Sequence, residues 1–161
     1  MAQSWTYPKN HFSFIHVRGL YGSIRHWDAF YKEAYDALEP GGWIEQAEIS
    51  VVPLSDDGSV TEDHIFTQWG NNSLKAAEQF GKSLTIYKDA KELLGNAGFE
   101  QVTEKVFKLP IGGWSADQGL KTMGMWNQLY WEYGIEAWCL ALMTRVLGVR
   151  ITVQHSKTLD I

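Results

Sequence analysis

The spacing of apolar residues changes from segment to segment along the chain, and the changes predict an alternation of strands and helices. In FSFIHVRGL, Phe12 to Leu20, the residues Phe14, Ile15 and Val17 form a nearly continuous apolar run, the pattern of a parallel strand covered on both faces. Trp27, Phe30, Tyr31, Ala34 and Leu38 then recur at helical spacing opposite Lys32, Glu33 and Asp36, and Pro40-Gly41-Gly42 stops the helix. Trp43 to Val52 reads as a second strand, ended by Pro53. A loop with turn chemistry, Ser55-Asp56-Asp57-Gly58-Ser59, leads into a helix from near Glu62 to near Phe80. Tyr87, Ala90, Leu93 and Leu94 share one face of a helix over Ile86 to Ala97, with Gly98 as its stop. Phe99 to Ile111 alternates closely enough for a third strand. Asp117 to Leu147 is a long helical pattern interrupted at Gly124 and Gly134. One stripe holds Trp126, Tyr130, Tyr133 and Ala137; another holds Trp131, Ile135, Trp138, Leu142 and Val146. A helix apolar on nearly every side is buried or paired.

These elements predict one α/β domain over residues 1–161, with an arm (1–11), an α/β core (12–111), a helical lid or interface segment (112–148) and a tail (149–161) containing the β-prone VRITVQ. Hydrophobic residues at 45% and charged ones at 20% are ordinary for a globular chain that buries a core. A net charge of −5 without any run of Lys or Arg gives no footprint for nucleic acid or an anionic membrane. The longest apolar stretch, Ala137 to Met143, is too short to span a bilayer, and MAQSWTYPKN has no secretory pattern. The single Cys139 has no disulfide partner and no companion ligands at zinc spacing, so it reads as packing in a reducing compartment. The cytoplasm is the expected location, with the nucleus as the second. His11, His26, His64 and His155 show no ligand spacing, and no metal is implied. The anomaly is aromatic: eight Trp, seven Tyr and seven Phe, rings that serve cores, interfaces and flat-ligand pockets equally well.

Several stretches occur in an order that is specific. FSFIHVRGLYGSIRHW, YKEAYDALEPGGWIEQAE, FTQWGNNSLKAAEQFGKSL, then LPIGGW with GMWNQLYW together resemble the later part of LaeA-like fungal class I methyltransferases, which use S-adenosylmethionine. The resemblance runs from about Phe12 to Gly148. It implies a truncated Rossmann-like fold that retains the strand 4-5-7-6 half of the order 3-2-1-4-5-7-6, followed by a long aromatic C-terminal helix. Phe12–Leu20 would be strand 4, Gly42–Val52 strand 5, and Phe99–Ile111 part of the final pair. In such enzymes the cofactor lies on strands 1 to 3, over a G-x-G loop and an acidic residue that holds the ribose. No G-x-G occurs in the sequence, so the expectation is that the cofactor half is absent and that strand 12–20 becomes an edge needing a cover.

His16, Arg18, Tyr21 and Arg25 fall at or just after the end of the first strand, where open α/β sheets hold ligands; the resemblance places donor and substrate there. The alternative is structural, with Arg18 paired to an acid such as Glu45 and His16 a satisfied buried histidine. Glu45, beside Gln46 and Glu48, would have a raised pKa if buried among rings, which suits a general acid or base; a bridge to Arg18 would do the opposite. Trp69, Asn71 and Asn72 offer a ring with two amides, or ordinary helix-to-turn chemistry. The resemblance assigns Trp114, Met123, Trp126, Asn127, Tyr130 and Trp131 to a substrate lid. Rings at helical spacing are also what a core looks like, whereas a buried amide such as Asn127 needs partners that a ligand could supply. The candidate catalytic residues are Arg18, Tyr21 and Glu45. The candidate substrate-binding residues are His16, Arg25, Trp69, Asn72, Trp114, Trp126, Asn127, Tyr130 and Trp131.

The expected function is a methyltransferase-like protein of fungal secondary metabolism that does not methylate. It would bind a hydrophobic small molecule, or isomerise or cyclise one, with no cofactor of its own. A homodimer or another protein partner would cover strand 12–20. One alternative is an S-adenosylmethionine-dependent methyltransferase whose missing half another chain supplies. The other is a regulatory subunit that pairs with a full-length relative.

Overall fold

A computed structural model describes residues 5–150, the side chains of Glu136 and Cys139 excepted. The packing reading of Cys139 and most of the tail therefore lie outside the described residues. The chain divides into two compact units, Met1–Lys108 and Leu109–Ile161.

The first unit is built on a parallel β-α-β turn. Strand β1 (Phe12–Arg18) is followed by helix α1 (Trp27–Ala37), and the chain returns as β2 (Leu38–Ala47), parallel to β1. The register passes from Phe12 opposite Leu38 to Phe14 opposite Trp43, so the Glu-Pro-Gly-Gly segment is accommodated as an irregularity inside β2. The strand therefore starts before the turn residues that the sequence assigned to a helix stop, and it ends at Ala47 rather than Val52. Helix α2 (Ile65–Phe80) opens with the His64 side chain accepting from the Phe66 amide at 3.2 Å. Helix α3 (Ile86–Ala97) has the bounds read from its periodicity. It ends at Gly98 with φ 113°, in the left-handed region that favours glycine, and a Cβ there would meet the Tyr35 ring at 3.0 Å.

One face of the two-stranded sheet is packed. Val17 with Trp27 and Tyr31 of α1 and Ile86 and Leu94 of α3 forms the main cluster, joined by Ile15, Ile44 and Val102. Tyr31 and Ile86 are fully buried, and burying a large side chain of this kind contributes roughly 1.5–3 kcal/mol. A smaller cluster holds Val51, Ala77 and Leu84, with Trp69 and Leu74 beside it. The opposite sheet face, with Phe14, His16 and Arg18 on β1 and Trp43 and Glu45 on β2, is exposed. This differs from the expectation of a strand covered on both faces: within the first unit only one side of the sheet has helices packed on it. The arm is fastened to the end of α1. Trp5 meets the Phe30 ring edge-on at 5.5 Å, Lys9 pairs with Asp36 at 3.2 Å, and His11 donates to the Ala37 carbonyl.

Phe99 to Ile111 forms no strand among the described residues, whose sheet has two strands. Phe99 packs on Tyr35 at 5.2 Å and Val102 joins the core, whereas Val106 and Phe107 are exposed. The alternation was present in the sequence, but a strand also needs a ladder partner.

The second unit is dominated by α4 (Gln118–Ala141), which continues as a π-helical turn at Leu142–Val146. Neither Gly124 nor Gly134 interrupts it. No helix among the described residues is long and apolar enough to cross a membrane.

Candidate functional site

At the C-terminal end of the first unit's sheet, β1 runs out through Arg18 into a turn at Gly19. Glu48, just past β2, reaches across to it. Its two carboxylate oxygens accept from the backbone amides of Leu20 at 3.2 Å and Tyr21 at 3.3 Å, and one of them also accepts from Gln46 Nε2 at 3.2 Å. Gln46 Oε1 in turn accepts the Tyr31 hydroxyl. Burial pushes the Tyr31 phenol well above its ordinary range; the Gln46 hydrogen bond opposes this, and the carboxylates of Glu48 and Asp89 reinforce it. The chain Tyr31–Gln46–Glu48 thus couples the core to the loop that carries Tyr21.

Glu45 does not bridge to Arg18. It lies opposite His16 in the register, and His16 Nδ1 meets its carboxylate at 2.9 Å. Arg18, two residues on, stands opposite Ala47. His16 and Glu45 are both largely exposed, which corrects the readings of a buried histidine and a buried acid; the exposed sheet face has no packed layer to enclose them. Arg18 is exposed and makes no ion pair among the described residues. Tyr21 is half-buried and packs against both core clusters.

Arg25 serves the end of α2. It donates to the Phe80 carbonyl at 3.2 Å and lies against Gly81, where a cation complements the helix C-terminus. It borders an open depression of about 530 Å³, with Glu78, Lys82, Ser83 and Thr85 among its walls. Trp69 packs into the smaller core cluster on α2, and Asn71 and Asn72 face solvent.

In the second unit the loop before α4 is clasped to the helix. Asn127 Nδ2 donates to the Pro110 carbonyl at 2.9 Å and Gly112 donates to the Gly124 carbonyl at 3.0 Å. A Cβ on Gly124 would lie 2.2 Å from the Gly112 oxygen, so that approach requires glycine. The Asn127 amide nitrogen therefore has a partner within the protein. Trp114 and Trp126 are strongly exposed, Tyr130 partly so, and Trp131 is buried. Trp126, Leu129, Tyr130, Tyr133, Gly134 and Trp138 line an open groove of about 450 Å³. Of these, Trp126 and Tyr130 are among the sequence-based candidates, whereas Leu129, Tyr133, Gly134 and Trp138 are not. Gln46 and Glu48, at the end of the second strand, are outside the candidate list drawn from the sequence, yet they form the hydrogen-bonded chain that holds the loop carrying Tyr21. No group of acidic, His and Cys residues among those described could hold a metal ion.

Residues 1–104 match the family model described as a methyltransferase domain. Methyltransferase pytC of Aspergillus terreus is 32% identical over 148 residues, covering 92% of this chain and 45% of that protein. The probable methyltransferase tdiE of Emericella nidulans is 30% identical over 146 residues, 91% of this chain and 45% of its own. The secondary metabolism regulator LAE1 of Cochliobolus heterostrophus is 32% identical over 143 residues, with 88% and 47% covered. The chain thus spans less than half the length of these curated relatives. No solved structure matches it. The parallel β1-α1-β2 unit agrees with the α/β class of the resemblance, and the match over residues 1–104 shows that the chain belongs to the methyltransferase-domain family.

Proposed function

We propose that this chain binds a hydrophobic small molecule along the aromatic groove of α4 and does so without holding S-adenosylmethionine in the family's manner. The observation that carries the reading is the groove itself. It is an open hollow of about 450 Å³ on one face of α4, and its lining, mostly rings with two tyrosine hydroxyls, has the composition of small-molecule sites without their enclosure. One feature of the first unit favours binding without the cofactor. The two amides that follow the turn at the end of β1, those of Leu20 and Tyr21, already donate to Glu48, so that loop does not present them to a nucleoside. The chemistry open to such a site is isomerisation or cyclisation, in which orientation alone lowers a barrier.

A second reading is methyl transfer by a protein completed by a further segment or chain. The relatives described as methyltransferases favour it, as does their greater length. Titration calorimetry of the purified chain with S-adenosylmethionine separates the two. The first reading expects no saturable heat at micromolar ligand. Micromolar binding that S-adenosylhomocysteine competes away overturns it.

A further inference from the structure

We infer that the α4 groove takes a flat, uncharged ring system and that Gly134 determines its shape; the inference rests on the small-molecule reading above. Glycine in the interior of a helix is a poor helix former, and Gly134 sits in the middle of α4. The structure supplies a reason. Trp138, one turn later, leans back towards the helix N-terminus, as side chains on a helix do, and its indole occupies the place where a side chain on residue 134 would begin. A Cβ there would lie 2.2 Å from Trp138 Cζ2 and 2.5 Å from Cε2. Tyr130, with ring centroids 4.5 Å apart at 49°, and Trp131, at 5.6 Å and 83°, hold the indole in that position. Trp138 thereby forms a wall of the groove, while Trp126 and Tyr133 remain 69% and 83% exposed.

The lining decides the class of ligand. The six lining residues include no Asp, Glu, Lys or Arg, so an ionised ligand gains no counter-ion there, and whatever part of its charged group faces the rings loses hydration uncompensated. A neutral ring system loses little, and the Tyr130 and Tyr133 hydroxyls can accept or donate a hydrogen bond to one or two polar substituents.

The test compares two fluorescent probes with one ring skeleton, the neutral N-phenyl-naphthylamine and its sulfonate, anilinonaphthalene sulfonate, titrated into the full chain and its variants. The neutral probe is expected to bind about tenfold more tightly than the sulfonate. Gly134→Ala should weaken the neutral probe about tenfold by displacing Trp138, while circular dichroism stays helical because alanine favours helix. Gly95→Ala in α3, where a Cβ meets nothing within 4 Å, should bind as the wild type does. Trp138→Ala removes the wall without adding volume and should weaken binding as well, which keeps the test decisive if Gly134→Ala fails to fold. Equal affinity for the two probes, or wild-type binding by the Gly134 or Trp138 variant, overturns the inference and leaves the small-molecule reading in place. Failure of the wild type to bind either probe overturns both.

Discussion

Replacing Tyr31 by phenylalanine removes one hydroxyl from a residue with no exposed surface, and that hydroxyl donates to Gln46 Oε1. A neutral hydrogen bond contributes a net of about 1 kcal/mol, and leaving a half-buried acceptor short of a donor raises the loss, so Tyr31→Phe should destabilise the chain by about 1–2 kcal/mol at neutral pH. The pH dependence makes the prediction sharper. Burial raises the folded-state pKa of Tyr31 above its ordinary value of 10.0. An unfolded chain therefore releases this proton first, and above that pH the folded state binds more protons than the unfolded one. Stability associated with the raised pKa is complete below the ordinary value and is lost as the pH climbs towards the folded value, at about 1.4 kcal/mol per pH unit. The phenylalanine variant has no such term. The gap between wild type and variant should close, and then reverse, about one pH unit above the ordinary tyrosine value. Urea unfolding followed by circular dichroism at neutral pH, at about pH 10 and at about pH 11 measures it. A gap that stays constant across that range, or a variant as stable as wild type at neutral pH, refutes the buried hydrogen bond.

Four further outcomes follow from the geometry. Glu48→Ala leaves the Leu20 and Tyr21 amides without their acceptor, so it should speed their hydrogen exchange and lower stability by about 1–3 kcal/mol. Glu45→Gln changes an exposed contact with His16 and should shift stability by less than about 0.5 kcal/mol in urea titrations; a larger loss would mean that the pair is enclosed. Gly124→Ala, crowding the Gly112 oxygen, should lower the melting temperature in differential scanning fluorimetry, whereas Gly95→Ala should leave it unchanged or raise it. The second edge of β1 carries no strand among the described residues, so light scattering at tens of micromolar should report a mass above the 18.3 kDa of one chain; a monomer there would contradict pairing through that edge.

Local pattern was legible where the environment was local. Helix α3 has the bounds that Tyr87, Leu93, Leu94 and Gly98 implied, and α1 and α2 lie within a few residues of theirs. The third strand was not legible, because alternation from Phe99 to Leu109 describes a side-chain pattern and says nothing about whether a neighbouring ladder is there to receive it. The ion pair at the sheet end failed for a related reason. His16 and Arg18 lie on the same face of β1, and only the strand register, with His16 opposite Glu45 and Arg18 opposite Ala47, decides which of them meets the acid. In the sequence pattern Tyr31 is one more apolar position of α1, since periodicity records its ring and not its hydroxyl. Gly134 looked like a break in a helix; its function as room for Trp138 depends on a rotamer that no spacing rule contains.

Ligand binding in the α4 groove, as proposed above, is decided by a crystal of the chain soaked with N-phenyl-naphthylamine in the presence of S-adenosylmethionine. Density for the ring probe is expected against Trp126, Tyr130 and Trp138, with none for the nucleoside at the end of β1. Probe density in the depression beside Arg25 and Lys82 with an empty groove, or ordered S-adenosylmethionine beyond Arg18, would contradict it.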